Sequence, residues 1–225
     1  MRRIMGALVV SCLVTSVAFG HALYIVPEGG ETVVVVFGHG LQPDPKVKES
    51  SWQRMSGLKL TARGANRPAS PVTWTKAEHS LSAKVPAGTQ IVAGSVDYGV
   101  YAKEGKSPRY IQFLPKAVIG AIPTDGGVLG QACSLELVPI MESGKVRFRV
   151  LSHGKPVANA AVEVLVPEKN EHVDVNTDDT GLTPAFDARG RYAATVRHEE
   201  AKSGEVGGQK YESIVRVATL VVDVK

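Results

Sequence analysis

Six histidines are spread along a chain of 225 residues, and three of them stand where their surroundings could do chemistry. His21 follows Val17-Ala18-Phe19-Gly20, and the small residues Ala18 and Gly20 suit a signal-peptidase cut between Gly20 and His21. That cut would make His21 the first residue of the mature protein. Its free α-amine, with a pKa near ~7.7 to 8.0, and its ring nitrogen can then chelate one metal ion together. One further imidazole completes a three-nitrogen clamp of a kind that suits Cu(II), Ni(II), Co(II) or Zn(II), with tetragonal geometry favouring the first two. His39 is the first candidate for that imidazole, because Gly38 and Gly40 on either side let the backbone turn sharply and present the ring at a strand end.

His198 is the second candidate. It sits in Arg197-His198-Glu199-Glu200, at the end of a strand whose residues alternate sides, so Arg197 and Glu199 share one face and His198 takes the other. On this reading His198 reaches the same ion as His21, and the carboxylate of Glu199 orients its ring from behind. His79, beside Glu78, reads as a solvated surface residue.

The elements that must hold these histidines begin after residue 20. Met1-Arg2-Arg3 and the apolar run Ile4 to Val14 have the charged-then-apolar order of a secretory signal, assigned to residues 1–20. The run falls short of the ~20 residues of a membrane-spanning helix, so the mature chain is expected in the periplasm and free of a membrane span. A rival cut, at the lipobox-like Val9-Val10-Ser11-Cys12, would lipidate Cys12 and leave His21 internal. It leaves too little apolar sequence ahead of the cysteine, against the usual ~7 to 15 residues, and ranks second.

With Cys12 gone, Cys133 is alone and no disulfide can form within the chain. The formal charge of +4 falls further when Arg2 and Arg3 leave, and it is too dispersed for nucleic acid.

The remainder is expected to be all-β. Short β-branched runs at Leu23 to Val26, Thr32 to Phe37, Leu58 to Ala62, Val72 to Thr75, Ser80 to Val85 and Gln90 to Val96 alternate with Gly, Pro, Asn and Ser breaks. A helical turn is expected at Trp52 to Gly57. Tyr98 and Tyr101 fall in a charged loop, where capping the sandwich is the default and lining a site the alternative. Pro123 to Gly130 is glycine-rich and without apolar periodicity. From Ser134 onward, six further strands recur at even spacing, with Asp178-Asp179 as a turn between two of them. The predicted organisation is two β-sandwich domains, 21–122 and 134–225, joined by a linker at 123–133, the second immunoglobulin-like.

The cut before His21, the strand ending in Gly38-His39, Leu135 to Pro139, Val150 to Ala160, and Arg197 to Glu200 running on to Tyr211-Glu212-Ser213 and Ala218-Thr219-Leu220 together resemble a bacterial periplasmic family of unknown function, often labelled nickel uptake transporter family protein. The likeness covers most of the mature chain. It implies an all-β protein that captures Ni(II) or Co(II) for an inner-membrane permease of the energy-coupling-factor kind, with the amino-terminal histidine, here His21, as the expected ligand. His39 and His198 are the further positions it suggests. Where that family reads Arg-His-Tyr-Ala-Thr-Leu, this chain has Arg216-Val217-Ala218-Thr219-Leu220.

Three functions compete. The leading one is a non-enzymatic periplasmic metal-binding protein. The second is a copper protein with redox activity, since lytic polysaccharide monooxygenases hold copper in the same amino-terminal clamp. Trp52 and Trp74 are few for a saccharide surface, however, and core packing is their default. The third is a structural or interaction module without metal. No Ser, His and Asp order, paired-cysteine motif, phosphate loop or HExxH supports a hydrolase or nucleotide enzyme.

Overall fold

The computed structural model describes residues 20–65, 67–167 and 171–225. The proposed signal, including Cys12, lies outside the described residues but for Gly20. In chain order the strands are β1 (Ala22–Gly29), β2 (Thr32–Gly38), β3 (Lys59–Gly64), β4 (Ser70–Val72), β5 (Trp74–Lys76), β6 (Leu81–Lys84), β7 (Thr89–Lys103), β8 (Lys106–Val118), β9 (Glu136–Glu142), β10 (Lys145–Ser152), β11 (Lys155–Pro156), β12 (Ala161–Val166), β13 (Glu171–Asn176), β14 (Gly190–Glu200), β15 (Gly204–Val206), β16 (Gln209–Tyr211) and β17 (Ser213–Val224), and one short helix, α1 (Glu49–Arg54), lies between β2 and β3. The protein is all-β, as its alternating apolar runs predict. No helix among the described residues is long and apolar enough to cross a membrane.

The centre of the molecule is an eight-stranded sheet in the order β13-β12-β14-β17-β8-β7-β3-β4. Strands from 21–122 and from 134–225 therefore share one sheet, joined where β17 runs parallel to β8, from Ser213 opposite Arg109 to Val222 opposite Val118. The other strand pairs among the described residues are antiparallel. The sheet β1-β2-β6-β5 covers one face and β9-β10-β11 contributes to the core on the other.

Alternation along β17 makes the layering explicit. Val215, Val217 and Val221 enter the core with β1, β2 and β6, whereas Ala218, Leu220, Val222 and Val224 enter the core with β9 and β10. A strand covered on both faces has no polar side to show, which is why Ile214 to Val224 reads as a nearly continuous apolar run. Each Val or Leu buried there contributes roughly 1.5–3 kcal/mol.

Two stretches differ from the sequence expectation. The charged loop around Tyr98 and Tyr101 is the outer part of a long β7–β8 hairpin. Strand β8 was hidden because it carries Pro115 and Lys116, residues that ordinarily argue against a central strand. Pro115 stands opposite Thr219 on the parallel side, and Lys116 is 1% exposed, its ammonium 2.9 Å from Glu136.

The glycine-rich stretch expected as a linker is strapped to the sheet. Glu136 accepts from the amides of Leu129 and Gly130, and a Cβ on Gly126 would stand 2.4 Å from Val138 and 2.6 Å from the Pro139 carbonyl. Close approach to the sheet, rather than looseness, accounts for the glycine there. The helical turn is present as α1, with Trp52 buried. Trp74 is half-buried and donates its indole N–H to the Leu58 carbonyl at 2.9 Å.

Candidate metal centre

The β1–β2 ladder brings His21 and His39 together. Its outermost pair sets Ala22 opposite Gly38, so the next residue on each strand emerges beside the other, and the two imidazole centroids are 4.4 Å apart at 47°. His21 is half-buried and stacks on Phe37 at 5.4 Å, while His39 is exposed.

Asp44 adds a carboxylate from the loop after β2, its Oδ2 3.8 Å from His21 Nε2. Its Oδ1 accepts the Lys46 amide at 2.8 Å, which fixes the turn. A Cβ on Gly38 would stand 3.2 Å from the Asp44 Cβ, so glycine at 38 lets the loop fold back against the strand end. That is a different use from the sharp turn expected, since neither Gly38 nor Gly40 has a positive φ.

Burial lowers the His21 pKa, the neighbouring His39 lowers it further, and Asp44 opposes both. The net direction favours the unprotonated ring, the form that donates a lone pair to a metal. Imidazole nitrogens are donors of the kind first-row divalent ions take, and the Asp44 carboxylate stands beside one of the two rings. Among the described residues, no group of three or more His, Cys, Asp or Glu side chains is gathered closely enough to hold an ion, so a third strong donor would have to come from the main-chain nitrogen of His21, free only after a cut at Gly20.

His198 does not join this group. It pairs with Arg216 in the β14–β17 ladder, and Arg197 pairs with Val217. Arg197, with Val215, lines the cavity beside His21, so His198, one residue along the strand, points to the opposite face. The alternation read from the sequence is what the strand has, but it turns the arginine toward His21.

Glu199 shares the Arg197 face without orienting a histidine. It accepts from the Ser213 hydroxyl at 2.5 Å and lies 3.6 Å from Arg109. His79 lies half-buried, its ring 3.7 Å from the Glu78 carboxylate.

Asp44 went unrecognised because it sits in a polar loop with no periodicity. His172, on β13, lines a concavity with His39 and Asp44 and is ion-paired through Nδ1 to Glu163. Burial raises the Glu163 pKa, opposed first by His172. Only the fold, which sets β12 and β13 beside the His39 loop, links these residues. Cys133 is half-buried, with its thiol directed at the Leu135 carbonyl at 3.2 Å. Asp178 holds its turn by accepting from the Thr180 hydroxyl and amide and the Leu182 amide. No protein-family model matches the chain, and no curated protein matches it in sequence.

Proposed function

We propose that the protein captures a transition-metal ion, Ni(II) or Co(II), outside the cytoplasmic membrane and passes it to an inner-membrane permease, without catalysing a reaction. The observation that carries this reading is the pairing of His21 with His39 at 4.4 Å beside the Asp44 carboxylate. After a cut at Gly20, the α-amine and ring of His21 and the ring of His39 would supply three nitrogens, and Asp44 an oxygen. Cu(II) is the alternative ion for the same donors. We further infer that 134–225 is an immunoglobulin-like sandwich that lends the central sheet half its strands and serves as scaffold for the site at the edge of 21–122.

Calorimetric titration with Ni(II), Co(II), Cu(II) and Zn(II) tests the reading, on protein beginning at His21 and on protein carrying one extra glycine before it. Tight one-to-one binding that collapses in the extended form is expected. Equal binding in both forms would move the site to internal histidines, and no binding in either would favour a structural role. Dioxygen consumption by the copper-loaded protein with a reductant would favour the redox alternative.

A further inference from the structure

Beside His21, the structure has a cavity of about 410 Å³. Its apolar wall is Phe37, Tyr98, Ile111, Phe113 and Val215, with Phe37 set 6.0 Å from Tyr98 and 5.4 Å from Phe113. Its charged groups are Lys46, Lys48, Arg109 and Arg197, and no carboxylate among the described residues lines it. Among the described residues, the one carboxylate within ion-pair distance of any of the four is Glu199, 3.6 Å from Arg109 and already engaged with Ser213. Arg197, Lys46 and Lys48 have no carboxylate within ion-pair distance among the described residues.

We propose that this cavity binds a small organic anion bearing two or more carboxylates, gripped by Arg109 and Arg197, with its apolar body against the aromatic wall. Guanidinium forks match carboxylates in a bidentate way that lysine does not. A half-buried arginine with no carboxylate in ion-pair contact is costly for the empty protein and favourable once an anion arrives. Burial and the like charge of Arg109 push the Arg197 pKa down, and Glu199 opposes them without restoring it. Aromatic and branched apolar walls suit the carbon skeleton of an organic acid and leave a bare inorganic anion poorly held. Resting on the metal-capture reading, the natural ligand is a carboxylate chelate of the ion, gripped in the cavity and sharing its metal with His21.

Calorimetry on metal-free protein beginning at His21 tests the cavity with citrate, pyridine-2,6-dicarboxylate and inorganic phosphate as probes. One-to-one binding of a carboxylate is expected, weakened at least tenfold in both Arg197→Gln and Arg109→Gln. Lys46→Gln with Lys48→Gln, on exposed side chains, weakens it less and supplies a variant with no folding risk. Failure of both carboxylates to bind, binding that the arginine variants leave unchanged, or phosphate bound as tightly as the carboxylates would overturn the proposal.

The preformed nickel–citrate complex is expected to bind more tightly than citrate alone in wild type, and no more tightly than citrate in His21→Ala. Carboxylate binding without nickel binding in any form would remove the metal reading and leave the cavity assignment standing.

Discussion

The two faces of strand β8 handle positive charge in opposite ways. On the β9 side, Lys116 is sealed at 1% exposure, its ammonium matched by Glu136 at 2.9 Å and by the Gly127 carbonyl at 3.5 Å. Burial pulls its pKa down and Glu136 opposes the pull. On the β1 side, Arg109 opens with Arg197 and two lysines onto a cavity that no carboxylate among the described residues lines. A buried charge whose partner is built into the chain serves the fold, and a cluster in which Arg109 alone meets a carboxylate, at 3.6 Å, has charge to spare for something that arrives. The difference separates scaffold from site without appeal to residue type, since all five groups are ordinary lysines and arginines.

Substitutions on the two faces sharpen the contrast. Lys116→Met strands the Glu136 carboxylate and should cost about 3–5 kcal/mol in urea unfolding. The double variant Lys116→Met, Glu136→Gln should recover most of that loss, because glutamine still accepts from Leu129 and Gly130. A double variant as unstable as the single one would mean that the ion pair is not the reason.

Gly126→Ala, on the same face, meets both a positive φ of 65° and the Val138 side chain, and should cost about 2–4 kcal/mol. Little loss there would show that 123–130 is a loose linker after all. Across the sheet, Arg197→Met should leave the ligand-free protein as stable as wild type or raise its stability by up to about 1 kcal/mol. A clear loss would break the comparison, because it would make Arg197 structural.

The smallest effect is expected at the surface turn of Asp178, whose hydrogen bonds from the Thr180 hydroxyl and the Leu182 amide hold its pKa down to about 2. A depressed carboxylate pKa stabilises the fold above the unfolded value of ~3.9, and the contribution disappears as pH falls toward 2. Asp178→Asn should flatten that part of the acid-unfolding curve and leave neutral-pH binding of either ligand unchanged.

Much of this was legible in the sequence, and the gaps have physical causes. Local alternation located most strands and the turn at Asp178, because each depends on neighbouring residues. His21 and His39 were legible as candidates because one follows a cut-like motif and the other ends a strand. Their meeting depends on the β1–β2 register, a hairpin property that lies close in sequence.

His198 was misplaced because period-two alternation says which residues share a face and not which face meets which layer. Lys116 and Glu136 each look like a reason not to be in a core strand, and only their pairing across 20 residues makes both acceptable. The cavity was illegible because Lys46, Arg109 and Arg197 come from three distant segments with no shared motif.

The parallel seam between β8 and β17 also sets an order of events. Strand β17 joins β14 to β8, so the eight-stranded sheet has a gap at its middle until residues 213–224 pair. Pairings this far apart in sequence are slow to close. Until that moment neither apolar core has its shared wall. Both cores then close in one event, which makes β17 the strand whose arrival completes them.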